Sequence, residues 1–153
     1  MSAGSRWSAR KRRVSRWLER VLVNRINRAM LRSGRFGSTY AVLETTGRRS
    51  GRPRQIPVAN GLRGDTFWLM SAHGRHAHYV HNLLANPRVR IGVVEGGRLR
   101  WRTGTASLVP GDDSLARQRE LGRGRLGYRL DAMLMRALAT DLTTIRIDLD
   151  PEV

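Results

Sequence analysis

Residues 41–54 read Ala41-Val42-Leu43-Glu44-Thr45-Thr46-Gly47-Arg48-Arg49-Ser50-Gly51-Arg52-Pro53-Arg54. Residues 40–45 are apolar and β-prone, whereas residues 47–54 pack two glycines, a proline and four arginines into one short stretch. No regular element keeps glycine and proline at that density, so the segment reads as a strand running into a basic loop. Residues 55–60 resume an extended pattern and predict a return strand. The backbone N–H groups of such a loop can cradle a phosphate or carboxylate while guanidinium forks bond its oxygens in pairs. Taken alone, the loop fits an anion cradle and a solvated basic turn equally well. It lacks the Gly-Lys-Ser or Gly-Lys-Thr of a P-loop and the glycine fingerprint of a dinucleotide-binding turn.

Working outward, residues 61–65 supply a hairpin turn and residues 66–71 a third strand. A short helix follows over residues 79–85 and stops before Asn86-Pro87, because proline disfavours helical geometry at the residue before it. Residues 89–94 and 99–109 read as two strands joined by a Gly96-Gly97 turn, which favours antiparallel pairing. Between residues 114 and 138 the periodicity is helical but interrupted by Gly122, Gly124 and Gly127, predicting two short helices. Residues 143–149 alternate Ile145, Ile147 and Leu149 with Arg146 and Asp148, the period of a half-buried strand. About six antiparallel strands without repeated βαβ spacing predict an α+β, mainly β fold: a small barrel flanked by short helices.

Upstream, Val14, Trp17, Leu18, Val21, Leu22, Ile26, Ala29 and Met30 recur at helical steps, and arginines crowd the opposite face. Residues 5–32 therefore predict a long basic amphipathic helix, and the chain divides into that helix (1–33) and a barrel domain (34–153). Val14 to Met30 can cover the barrel, while Trp7 and Trp17 beside many arginines suit the surface of an anionic bilayer.

The chain has 153 residues, enough for one core. Its 29 basic residues against 12 acidic ones give a formal charge of +17, which calls for an anionic partner: nucleic acid, a membrane surface or a polyanionic small molecule. Lys11 is the only lysine. The absence of cysteine removes disulfides, thiolate metal sites and cysteine nucleophiles, so redox chemistry has to come from a bound cofactor. No apolar run approaches the roughly 18 residues of a membrane span. The charged N-terminus lacks the continuous apolar core of a secretion signal, which predicts a cytoplasmic protein.

All four histidines, 73, 76, 78 and 81, fall in one short segment. Their spacing matches no zinc pattern, and no cysteine or nearby carboxylate completes a ligand set, so no metal site is assigned. A polar loop leading into a helix N-terminus, which favours an anion or an electron-rich ring, accounts for them better.

The run 41–54, followed further on by a serine-containing loop and then Tyr79-Val80-His81-Asn82-Leu83-Leu84-Ala85-Asn86-Pro87, resembles the deazaflavin-dependent nitroreductase and quinone reductase family. The resemblance covers residues 14–109 and implies a split β-barrel that binds reduced coenzyme F420, a deazaflavin with a phosphate and an oligoglutamate tail. It implies hydride transfer to an electron-poor acceptor: a quinone, an enone or a nitroaromatic. By the same resemblance Arg48, Arg49, Ser50 and Arg54 meet the phosphate and the first carboxylates, and Gln55, Ile56, Pro57, Val58 and Ala59 pass beside the ring. Leu69, Met70, Ser71 and Ala72 form the opposite wall, and His78, Tyr79, Val80 and Asn82 close the pocket. Ala72 stands where the nitroreductase branch can carry lysine, and Ala59 where it can carry an aromatic residue. That branch presents a C-terminal tyrosine to substrate, which makes Tyr128 a candidate proton donor beside Tyr79; a packed aromatic on a helix is its alternative.

Three other functions fit parts of the sequence. A non-catalytic barrel for lipid or apolar ligands, or for a membrane surface, fits residues 5–32; an FMN-binding oxidoreductase fits the same arginine loop. Nucleic-acid binding has charge alone in its favour and is not expected. Split barrels often pair as homodimers, and the resemblance carries that expectation too.

Overall fold

A computed structural model gives the architecture and describes residues 39–152. The helix expected over residues 5–32, and with it the division at residue 33, lies outside the described residues. The chain runs through β1 (Tyr40–Thr46), β2 (Pro53–Ala59), β3 (Leu62–Arg63), β4 (Thr66–Ser71), a 3-10 turn (Gly74–His76) and α1 (His78–Ala85). It continues through β5 (Arg88–Glu95), β6 (Arg98–Leu108), α2 (Ser114–Leu121), α3 (Leu126–Leu138) and β7 (Thr143–Leu149). The strands form one curled antiparallel sheet in the order β2-β1-β5-β6-β7-β4-β3. Seven strands replace the expected six. The seventh, β3, takes the first part of the 61–65 turn, because Leu62 and Arg63 pair back onto Phe67 and Thr66.

Alternation builds the core. On β7, Ile145, Ile147 and Leu149 point inward, while Arg146 and Asp148 stay outside and bond each other at 2.8 Å. Val89, Ile91 and Val93 of β5, Ala41 and Leu43 of β1, and Phe67 and Leu69 of β4 join the same cluster. Val80 and Leu83 of α1 pack onto it from one side. Each large apolar side chain buried this way contributes about 1.5–3 kcal/mol. A smaller cluster of Met70, Leu121, Tyr128 and Ala132 lies beneath α2 and α3, with Trp68 packed against it and the Arg117 guanidinium 3.7 Å over the indole ring. Residues 122–125 separate α2 from α3.

Candidate active site

Pairing of β1 with β2 runs from Tyr40↔Ala59 to Thr46↔Pro53, which leaves residues 47–52 as their connection. The loop bonds to itself. Gly47 N–H donates to the Arg52 carbonyl at 2.7 Å and Gly51 N–H to the Gly47 carbonyl at 2.8 Å. Gly51 sits at φ 67°, the left-handed region that favours glycine, and a Cβ at Gly47 would crowd Ser50 Oγ at 2.7 Å and the Arg52 carbonyl at 3.2 Å.

Helix α1 grips this loop through Asn82. Its Oδ1 accepts from the Arg48 backbone N–H at 3.2 Å and from Arg48 Nη1 at 3.1 Å. Its Nδ2 donates to Thr45 Oγ1 at 3.2 Å. Arg48 Nη1 also reaches the His78 carbonyl at 3.4 Å. Asn82 and Thr45 are both buried, where an unmet polar group costs about 1–3 kcal/mol, so the three bonds fix the corner firmly.

Between this corner and α1 opens a cavity of about 540 Å³, inside the range of small-molecule sites. Arg48, Arg49, Ser50, Arg54, Gln55, Ile56, His78, Tyr79 and Asn82 line it, together with Thr45, Gly47 and Pro53. No carboxylate does, so its mouth is positive. One polar atom in the lining residues stands out. Gln55 Nε2 donates at 2.5 Å to Glu44 Oε2, and the other oxygen of Glu44 accepts from Arg90 Nη1 at 3.1 Å. An ionised carboxylate only accepts, so the Gln55 amide cannot turn round. Its Oε1 is buried without a donor among the described residues. Burial also pushes the Tyr79 hydroxyl above the ordinary tyrosine range, against the opposing pull of a hydrogen bond with Ser71.

The other candidates lie apart from this lining. Pro57 is exposed on β2, and Val58, Leu69 and Val80 turn into the main core. Ser71 Oγ donates to the Gly74 carbonyl at 3.0 Å, and the Ala72 carbonyl accepts from Thr140 and Asp141 N–H groups. Ala59 and Met70 border a much smaller void of about 10 Å³ beside Tyr128. Tyr128 is 2% exposed, packs with Leu121 and Ala132, and has its hydroxyl 3.9 Å from Met70 Sδ. Burial raises its pKa to about 12. Among the described residues no group of three or more His, Asp or Glu side chains is placed to share a metal ion. Sequence reasoning passed over Glu44 and Thr45. Glu44 was nonetheless legible, since a hairpin closing Thr46 on Pro53 sets Glu44 directly opposite Gln55.

A curled antiparallel sheet with an arginine loop beside a cavity at one corner defines the split-barrel class. Two solved structures share the fold. An F420-H2 dependent reductase (FDR-A) is 19% identical at a TM-score of 0.51, covering 73% of this chain and 94% of its own. The heme storage protein HutZ of Vibrio cholerae is 22% identical at a TM-score of 0.54, covering 77% and 86%. The chain belongs to the F420H(2)-dependent quinone reductase family, whose sequence profile matches residues 17–134. An F420H(2)-dependent quinone reductase of Mycobacterium tuberculosis H37Rv is 32% identical over 118 residues, covering 68% of this chain and 77% of the relative.

Proposed function

We propose that this chain is an F420H2-dependent reductase of quinone-type acceptors, working through the cavity between the 47–52 loop and α1. The carrying observation is a single cavity that joins three arginines, Arg48, Arg49 and Arg54, to Tyr79 and to Gln55, whose buried Oε1 has no donor among the described residues. Coenzyme F420 fits both ends. Its phosphate and glutamate carboxylates suit the guanidinium forks, and an N–H on a flat ring edge suits the fixed Gln55 oxygen. Ser50 adds a hydroxyl at the anionic end, and Ile56 an apolar wall.

When bound, the reduced deazaflavin supplies a hydride, which carries two electrons and one proton to the acceptor. A quinone then needs one further proton on oxygen to become the hydroquinone. Tyr79 Oη is the protein group assigned to it. The raised pKa keeps that hydroxyl protonated at neutral pH, and water restores the proton afterwards. Tyr128 has no part in this reading, since its hydroxyl faces Met70 rather than the cavity. Residues 5–32 complete the picture by keeping the enzyme in the cytoplasm at the inner face of the membrane, where apolar quinones reside.

The experiment is a turnover assay with a water-soluble benzoquinone. Purified protein should oxidise reduced F420 with stoichiometric hydroquinone formation, and reduced FMN much more slowly. Rapid turnover with FMN and none with F420 would assign the arginine corner to a single phosphate instead.

A further inference from the structure

Away from the cavity, α2 and α3 enclose a second cleft of about 530 Å³. Its charged side chains are Arg119, Arg123, Arg129 and Arg136, and no carboxylate lines it. Arg136 Nε bonds the Ala132 carbonyl at 3.2 Å. The guanidinium groups of the other three have no hydrogen-bond or ion-pair partner among the described residues. Four like charges around one cleft repel each other until an anion enters. Gln118, 3% exposed, also lines the cleft. Its Nε2 meets Met135 Sδ at 3.4 Å, while its Oε1 is buried without a donor among the described residues.

Helix α3 is apolar on two faces. Tyr128 and Ala132 form the inner one. Leu126, Leu130, Met133, Leu134 and Leu138 form the outer one and are between 56% and 69% exposed. Their spacing at three- and four-residue steps makes one continuous stripe, the sort of exposed apolar surface that marks an interaction site. At 3.6 residues per turn, Arg129 and Arg136 fall together on one flank of the stripe, beside Met133. Met133 also lines the cleft, so apolar stripe and arginine cleft are one surface.

We propose that this α2–α3 face docks on an anionic phospholipid bilayer, with headgroup phosphates in the arginine cleft and the outer α3 stripe at the acyl boundary. Charge complementarity selects this occupant. A second copy related by a two-fold axis would bring the same unpaired arginines against one another. Residues 5–32 carry Arg6, Arg10, Lys11, Arg12, Arg13 and further arginines against a single acid, Glu19, and would add to the repulsion. Anionic headgroups offset the charge while the acyl boundary accepts the leucines. Phosphatidylglycerol, whose headgroup carries a single negative charge on its phosphate, is the probe.

The test is co-sedimentation of the full chain with phosphatidylcholine vesicles, with and without phosphatidylglycerol. Wild type should bind only the anionic vesicles. Each arginine near such a surface contributes about fivefold, so R123A/R129A should lower the partition coefficient about thirtyfold and R123K/R129K should restore it. L130Q/L134Q should lower it as well. Unchanged thermal midpoints and F420 affinity confirm that the variants fold. Wild-type partitioning of R123A/R129A and L130Q/L134Q would overturn the proposal and leave residues 5–32 as the membrane contact. Displacement of the chain from vesicles by soluble glycerol phosphate at low excess would overturn it in favour of a free phosphate-ester site. Self-association that L130Q/L134Q abolishes, with vesicle binding intact, would overturn it in favour of a second copy.

Discussion

Asn82 joins three elements at the arginine corner, because its amide bonds the loop through Arg48 and the end of β1 through Thr45. Asn82→Leu removes the acceptor of the Arg48 backbone N–H and leaves the buried Thr45 hydroxyl without its donor, and should lower unfolding free energy by about 1–3 kcal/mol in urea titrations. The same variant should weaken F420 binding, since Arg48 loses its anchor. Asn82→Asp keeps both acceptor bonds to Arg48 and gives up only the donation to Thr45, so its affinity should fall less than that of Asn82→Leu. Equal losses in the two would show that Arg48 is not positioned through this side chain. The two candidate tyrosines separate at the same scale. Tyr79→Phe should lower kcat about a hundredfold with little change in cofactor affinity, as removal of a positioned proton donor does. Tyr128→Phe should leave kcat unchanged, because among the described residues its hydroxyl bonds Met70 Sδ, away from the cavity. Steady-state kinetics on both variants decide the assignment, and the reverse ranking would move the proton donor to α3.

Elements with a strong local signal were the legible ones. The Gly96-Gly97 turn located the β5–β6 pair, alternation located β7, and the Asn86-Pro87 stop located the end of α1. The glycine and proline cluster located the loop, and with it the arginine side of the cavity. What stayed out of reach depends on how the sheet curls. In strand order β2 and β4 sit near opposite ends, so their approach is set by the accumulated twist of five intervening pairings. No local pattern in residues 57–59 or 69–72 encodes that, and their side chains divide between core, surface and a second small void. The two-residue β3 was hidden for a simpler reason, since so short a strand has no period to detect. The α3 packing carries its own prediction. Burial raises Tyr128 to about 12, and burial with the Asp131 hydrogen bond raises Tyr40 to about 12. An unfolded tyrosine releases its proton near pH 10, as a rough reference value. The unfolded chain therefore holds fewer protons than the folded one above that point, and stability must fall as pH rises. The contribution is complete below about pH 10 and lost on approach to about pH 12. Chemical denaturation across that window should show the decline, and Y40F/Y128F should flatten it.

For the molecule as a whole, a formal charge of +17 exceeds what one cofactor tail can offset, and its placement matters more than its size. One group of arginines stands over the cavity, and another lines the α2–α3 cleft. Arg88 and Arg102, by contrast, are paired on the outside of the sheet, bonding Asp150 at 2.6 Å and Asp65 at 2.7 Å respectively. Composition gave the excess of charge but not this division, because partners such as Asp150 and Asp65 lie far away along the chain. No helix of the described residues is long and apolar enough to cross a membrane. The central claim is that guanidinium groups at the β1–β2 corner hold the acidic end of F420. Its most direct test is a fluorescence titration of F420 into wild type and the R48A, R49A and R54A variants, repeated at rising salt. Affinity should fall about tenfold for each arginine removed, and the salt dependence should shrink in step. Wild-type affinity and salt response in all three variants would contradict the account.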